Sequence, residues 1–211
     1  MKRQRRILAR CGLSEAFRRK TLENYEERNE HAAAMKGMAC DYAANTTGGA
    51  LKSIGFFGQS GIGKTHLSIA LANILMQKGI AVLYMPYVEK IKELKDLNRL
   101  QSRHDVEDAC YDKAIAPLKT VRVLMIDDLF KRSEDRYNQA NPADVRIMFE
   151  ILNDRYLKGL PVIVSSELTL TEIIRIDEAF GGRLIEMCGE YCYEAEKDQR
   201  LNYRLKDVLG G

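Results

Sequence analysis

Gly58, Gly63, Lys64 and Thr65 stand in the order Gly-x4-Gly-Lys-Thr, after the apolar run Ile54-Gly-Phe-Phe57 and before Leu67-Ser-Ile-Ala-Leu71. A strand before and a helix after is the context that a phosphate-binding P-loop requires. Gly58, Gly61 and Gly63 can take backbone angles that a Cβ resists. A loop reading Gly58-Gln59-Ser60-Gly61-Ile62-Gly63 can turn successive N–H groups toward one anion, with the positive end of the next helix behind them. Lys64 is placed to reach the outer phosphates and the Thr65 hydroxyl to ligate Mg²⁺, with His66 closing the phosphate-contacting stretch. A glycine-rich strand–helix turn that binds nothing is the bland alternative, and the flanking elements weigh against it.

A second chemical cluster follows. Val123-Leu-Met-Ile126 runs directly into Asp127 and Asp128. A buried parallel strand that ends in acids places them at the carboxyl edge of its sheet, where ligands bind in such folds. Asp127 is expected to hold Mg²⁺ through water beside Thr65. Asp128 is expected to polarise the attacking water. Hydrolysis also needs positive charge on the γ-phosphate. Arg183, after Gly181-Gly182, is the candidate, acting on a neighbour's nucleotide.

These residues need a scaffold of alternating strands and helices. The sequence predicts strands at 51–57, 80–85, 121–126 and 161–164, with a short one at 191–195. Helices are predicted at 64–77, at 143–158, around 169–175 and at 177–187. A helical insertion at 87–118 falls in two pieces, 87–101 and 105–115, and 128–142 reads as a polar loop. Residues 14–45 read as one or two helices with Ser14 and Thr21 as caps. The alternation argues for a parallel sheet covered by helices on both faces.

A chain of 211 residues suits one α/β domain and is too short for two. Its apolar share of 45% is ordinary for a globular protein, and its net charge of +3 says less than the distribution of that charge. Lys2, Arg3, Arg5, Arg6, Arg10, Arg18, Arg19 and Lys20 crowd the first twenty residues against one acid, Glu15. Such an arm suits a phosphate backbone or an acidic partner. Five cysteines without a Cys-x2-Cys pair argue against a disulfide framework or a zinc ribbon and fit reduced thiols in the cytoplasm. No apolar run reaches the ~20 residues that a membrane span needs.

Taken together, the motifs resemble one family, the AAA+ ATPases of the DnaC/DnaI helicase-loader type, especially phage-borne versions, with the IstB transposition helpers as close relatives. The matching stretches are Gly58–Leu67, Val123–Leu129, Phe149-Glu-Ile-Leu-Asn-Asp-Arg-Tyr156, Val162-Ile-Val-Ser-Ser-Glu167 and Ile176–Leu184, with Leu13–Tyr25 as a lead-in. The resemblance implies a three-layer sandwich on a five-stranded parallel sheet, with little or no C-terminal lid. It divides the chain into a basic arm at 1–20, a helical lead-in at 21–50 and an ATPase core at 51–211. It implies that Tyr25 lies by the adenine, that Ser166-Glu167 takes the sensor-1 place and that Arg183 is the finger. Residues 87–118 then correspond to an insertion that lines a single-stranded DNA channel. Along it Lys92, Lys95, Arg99 and Arg103 step by three or four and would share one helix face, with Lys90 close by.

Three departures from the family pattern stand out. Glu167 replaces the asparagine common at sensor 1, Met187 stands where some loaders have a second arginine, and the lid that carries sensor 2 is expected to be missing. The implied activity is ATP hydrolysis with Mg²⁺, in an oligomer that delivers a DnaB-type replicative helicase onto single-stranded DNA, with no membrane involved. The alternatives are an IstB-like transposition helper and a nucleotide-gated DNA-binding adaptor with little hydrolysis. A small-molecule kinase is disfavoured by the paired acids and by the lack of an acceptor-binding lid.

Overall fold

The computed structural model describes residues 19–46, 51–102, 110–131 and 140–195. Five strands form one wholly parallel sheet: β1 (Ile54–Phe57), β2 (Val82–Pro86), β3 (Val123–Asp127), β4 (Val162–Ser165) and β5 (Cys192–Glu194). Their spatial order is β2-β3-β4-β1-β5. The helices of the described residues are α1 (Glu30–Asn45), α2 (Lys64–Gln77), α3 (Tyr87–Ser102), α4 (Cys110–Thr120), α5 (Pro142–Leu157), α6 (Leu170–Ile176) and α7 (Glu178–Cys188).

The sheet is buried on both faces, which is why its strands read as continuous apolar runs. Neighbouring residues alternate between the two sides. Phe56 and Met125 pack with Met35, Leu67 and Leu71 of α1 and α2. Phe57, Leu124 and Ile126 pack with Leu94, Ile115, Ile151 and Phe180 of α3, α4, α5 and α7. This is the helix–sheet–helix sandwich that the motifs implied.

The strand order positions the chemistry. β4 lies between β1 and β3, so the P-loop after β1 and the acids after β3 sit two strand spacings apart, about 10 Å. The end of β4 lies between them.

Element boundaries differ from expectation where side chains take over backbone bonds. β1 starts at Ile54 rather than at residue 51, because the Ser53 hydroxyl accepts the Val162 N–H at 2.9 Å and the Lys52 carbonyl accepts from Tyr42. β2 includes Pro86, which an edge strand tolerates. The cap expected at Thr21 starts no helix. Thr21 and Asn24 satisfy each other's N–H groups in a local turn, and Asn29 caps α1 through Ala32 N–H at 2.8 Å. Ser14, Leu13, Cys11, Arg103 and the arm up to Arg18 lie outside the described residues.

Arg155 of α5 is fully buried. Its guanidinium donates to the carbonyls of Leu118 at 2.9 Å, Val121 at 3.0 Å and Pro161 at 2.7 Å, with a longer contact to Arg122. Burial pulls its pKa down to about 10. One side chain therefore ties the end of α4 to the starts of β3 and β4.

Candidate functional site

The P-loop takes its shape at two glycines that no other residue could replace without strain. Gly58 has φ 113°, and a Cβ there would lie 2.5 Å from the Ala195 carbonyl oxygen. Gly63 has φ 95°, and a Cβ would meet the Tyr25 ring at 2.7 Å. Gly63 is also the N-cap of α2, with no side-chain cap bond. The first N–H groups of α2 thus face a cleft of about 250 Å³ bordered by Ser60, Gly61, Gly63, Lys64, Thr65 and His66. Open helix amides with a positive dipole end behind them form a seat for an anion.

Lys64 is buried. Its ammonium donates to the Gly58 and Gln59 carbonyls at 2.7 and 2.6 Å. Desolvation pulls its pKa down to about 8, against the opposing pull of Glu167, Asp128 and Asp127. A phosphate would give this cation a fitting partner.

The two halves of the site meet as expected. Thr65 Oγ1 donates to Asp127 Oδ1 at 2.9 Å. The strand spacing is bridged by Ser165, the last residue of β4, whose hydroxyl also donates to Asp127 Oδ1. Ser165 Oγ in turn accepts the Asp128 N–H at 3.1 Å. Tyr84 of β2 donates to Asp127 Oδ2 at 3.3 Å, and burial followed by that carboxylate pushes the phenol pKa up. A hydroxyl and a carboxylate side by side are a donor set that fits Mg²⁺, which takes few protein oxygens and keeps water and phosphate as its other ligands.

Asp128 adopts φ 58°, a left-handed conformation that aspartate tolerates better than most residues. The turn is closed by Lys131 N–H to the Asp128 carbonyl at 2.9 Å. The Asp128 side chain lines the cleft, where Lys131 Nζ contacts it at 2.8 Å. Glu167, just beyond β4, lines the same cleft and accepts from the same Lys131 at 3.2 Å. Burial raises the Glu167 pKa, but hydrogen bonds from Lys131 and Ser60 and the charge of Lys64 outweigh it and hold the carboxyl below its usual value.

Two other expected residues, Tyr25 and Arg183, lie outside the cleft. Tyr25 does not border the cleft. It is buried against the loop, donating to the Ile62 carbonyl at 3.2 Å and meeting His66 edge-on. It therefore braces the P-loop from behind. His66 Nε2 lies 2.9 Å from the Thr21 carbonyl and 3.0 Å from Asn24 Oδ1. Burial lowers its pKa. Lys20 also reaches the cleft, and its carbonyl accepts from Asn73 of α2 at 2.9 Å. Arg183 is remote from its own chain's cleft. It lies over Phe149 and Tyr156 in a separate surface hollow, with Nη1 on the Ala179 carbonyl at 3.0 Å.

The expected cationic face of α3 is divided. Lys95 is bound to Asp144 of α5 at 2.7 Å, Lys90 pairs with Glu93, and Arg99 pairs with Asp96. Lys92 and Arg99 are exposed. Sequence reasoning assigned no role to Ser165, Lys131 or Tyr84. Ser165 had a signal, a polar residue ending the apolar run Val162-Ile-Val164. Lys131 had none, because only the turn at Asp128 returns it to the cleft. No cluster of three metal-ligating side chains occurs among the described residues, and none of their helices is long and apolar enough to cross a membrane.

A family model described as IstB-like ATP binding protein matches residues 1–183. The chain belongs to the IstB-like ATP-binding family. This IstB-like protein is 33% identical over 211 residues to the phage-like element PBSX protein XkdC of Bacillus subtilis, covering 97% of the chain and 75% of that relative. It is 33% identical over 210 residues to YqaM of the same organism, covering 96% of the chain and 63% of YqaM. The replicative helicase loader DnaC of Buchnera aphidicola (Baizongia pistaciae) is 28% identical over 137 residues, which is 65% of the chain and 53% of DnaC. The chain thus spans between half and three quarters of the length of these relatives.

Among solved structures, DnaI aligns with a TM-score of 0.65 at 20% identity, covering 90% of this chain and 94% of DnaI. The replication initiator DnaA bound to AMPPCP and single-stranded DNA aligns with a TM-score of 0.66 at 20% identity, covering 94% and 56%. The fold of this IstB-like protein is therefore the AAA+ P-loop fold.

Proposed function

We propose that this IstB-like protein is an ATP-hydrolysing loader that delivers a DnaB-type replicative helicase onto single-stranded DNA in the cytoplasm. The observation that carries the reading is the joined site: an uncapped P-loop helix whose Thr65 is hydrogen-bonded to Asp127 beneath a cleft lined by Asp128. The similarity to DnaC supports the choice of a loader among AAA+ functions.

In this reading the amides of residues 60–65 and Lys64 bind the phosphates of ATP, while the Gly58 and His66 amides stay on the Leu168 and Gly63 carbonyls. Thr65 and Asp127 would hold Mg²⁺, which supplies charge neutralisation at the β- and γ-phosphate oxygens. Asp128 accepts the proton of the attacking water. Glu167 orients that water from the β4 side. Tyr25 acts on the nucleotide indirectly, through the loop that it braces. Arg183, facing away from its own cleft, completes the site of a neighbouring subunit in an ATP-dependent oligomer. The residues divide into a basic arm at 1–20, a lead-in at 21–50 and an ATPase core at 51–211, with the insertion at 87–118 toward DNA. Lys92 and Arg99 are the DNA-contacting residues of α3, and Lys95 is reserved for Asp144.

Co-purification with the host's replicative helicase, with and without ATP, tests the reading. ATP-dependent retention is expected. Loss of the helicase together with retention of a transposase would replace it by an IstB-like transposition helper, the reading that the family match favours as second.

A further inference from the structure

Lys131 is the one cation that touches both acids of the cleft among the described residues. Its ammonium lies 2.8 Å from Asp128 Oδ2 and 3.2 Å from Glu167 Oε1. It is held there by the left-handed turn at Asp128, which folds the chain back so that the Lys131 side chain borders the same cleft as Lys64 and Thr65. Glu167 is the other half of the arrangement. Its carboxylate accepts from the Ser60 hydroxyl at the tip of the P-loop and lies in the field of Lys64. An anion of the protein is therefore already surrounded by donors, Ser60 and Lys131, in a cleft built for phosphate.

The charge balance follows from this geometry. The cleft is lined by two carboxylates, Asp128 and Glu167, with Lys131 on both of them and Lys20 and Lys64 also in the lining. A terminal phosphate adds further negative charge, about −2. It would stand against both carboxylates, and Lys131 is the cation already seated on the two of them. Lys131 has four rotatable carbons and a compact charge, and one of its ion pairs can be exchanged while the other is kept. A diphosphate lacks that terminal group and offers Lys131 nothing to exchange for.

We propose that Lys131 reads the γ-phosphate: it exchanges Glu167 for the terminal phosphate of a nucleoside triphosphate and thereby sets the preference for triphosphate over diphosphate. The exchange releases the Glu167 carboxylate to act on water only when a γ-phosphate is present. The inference rests on the ATP-binding reading above and deepens it.

Equilibrium binding of AMPPCP and of ADP to the full chain tests it. Replacing Lys131 by Met should weaken AMPPCP about tenfold or more, the cost of one charge-assisted contact, and leave ADP within about twofold. Lys131→Arg should restore the AMPPCP-to-ADP ratio. Glu167→Gln should strengthen AMPPCP several-fold without changing ADP, because the ammonium no longer leaves a carboxylate. A purely structural Lys131 would weaken both nucleotides alike. If Lys131→Met does not fold, as judged by circular dichroism, Lys131→Gln and the Glu167→Gln arm carry the test. An unchanged ratio in a protein that binds both nucleotides overturns this inference alone. A wild-type protein that binds neither nucleotide overturns the ATP reading itself.

Discussion

Nucleotide binding should take up a proton, and Lys64 should be the group that takes it. In the empty cleft its pKa is pulled down to about 8 by burial, from an ordinary value of 10.5. Phosphate oxygens favour the charged form, so the pKa rises on binding. The sign is then fixed: affinity is full below pH 8 and is lost as pH rises through 8. With a pKa of 8, about three quarters of the lysine is charged at pH 7.5 and about 3% at pH 9.5, so the affinity should fall about 25-fold over that interval, or about 2 kcal/mol. The window lies above the second ionisation of a phosphate, so the ligand's own titration does not enter. ADP is the suitable ligand because no hydrolysis follows. Calorimetry at pH 8 in two buffers of different ionisation enthalpy should show about half a proton taken up per site. Lys64→Arg, if it binds at all, should bind with no such pH dependence, because a guanidinium keeps its proton. Flat affinity from pH 7.5 to 9.5 with no buffer dependence would refute the argument.

Asp128→Asn should keep ATP bound and slow turnover by about 10²–10⁴-fold, because asparagine accepts the left-handed φ of 58° but takes no proton; wild-type turnover in a phosphate-release assay would remove Asp128 from the base role. Arg155→Ala should destabilise the fold by about 3 kcal/mol in urea titration, since the buried carbonyls of Leu118, Val121 and Pro161 lose their donor. A change below about 0.5 kcal/mol would show that water replaces it. Mixing Arg183→Ala with Lys64→Ala protein should partly restore ATPase activity, because some interfaces then pair an intact cleft with an intact finger. No recovery, with mixed assembly confirmed, counts against action between subunits.

The sheet and its helices were legible because parallel strands buried on both faces leave plain apolar runs. The P-loop helix was placed at its observed ends, Lys64 to Gln77, by Gly63 and Gly79. Thr65 and Asp127 were legible as a pair through their motifs. The further support of Asp127 was not: Ser165 acts from a strand that lies between theirs in space but after them in sequence, and spatial strand order is not written in a one-dimensional pattern. Lys131 and the Lys95–Asp144 pair were hidden for a related reason. A helical wheel shows which residues share a face, but it does not show which neighbouring helix that face meets. Tyr25 was expected by the adenine, and packing sets its ring against Gly63 and its hydroxyl on the Ile62 carbonyl. The resemblance gave its neighbourhood, and only packing could give its depth.

The strap at residues 19–25 has a mechanical consequence. Two successive carbonyls, of Lys20 and Thr21, are fastened to α2 by Asn73 and His66, seven residues apart and so about 10 Å along the helix. Leu22 and Tyr25 anchor the same stretch in the core. Fasteners spaced along a rigid rod share a sideways load instead of peeling in sequence. A pull on the chain upstream of residue 19 is therefore borne by α2 as a whole, and the first turn of α2 carries Lys64 and Thr65. If a partner gripped the chain there, its pull would reach the helix whose first turn carries the candidate phosphate seat.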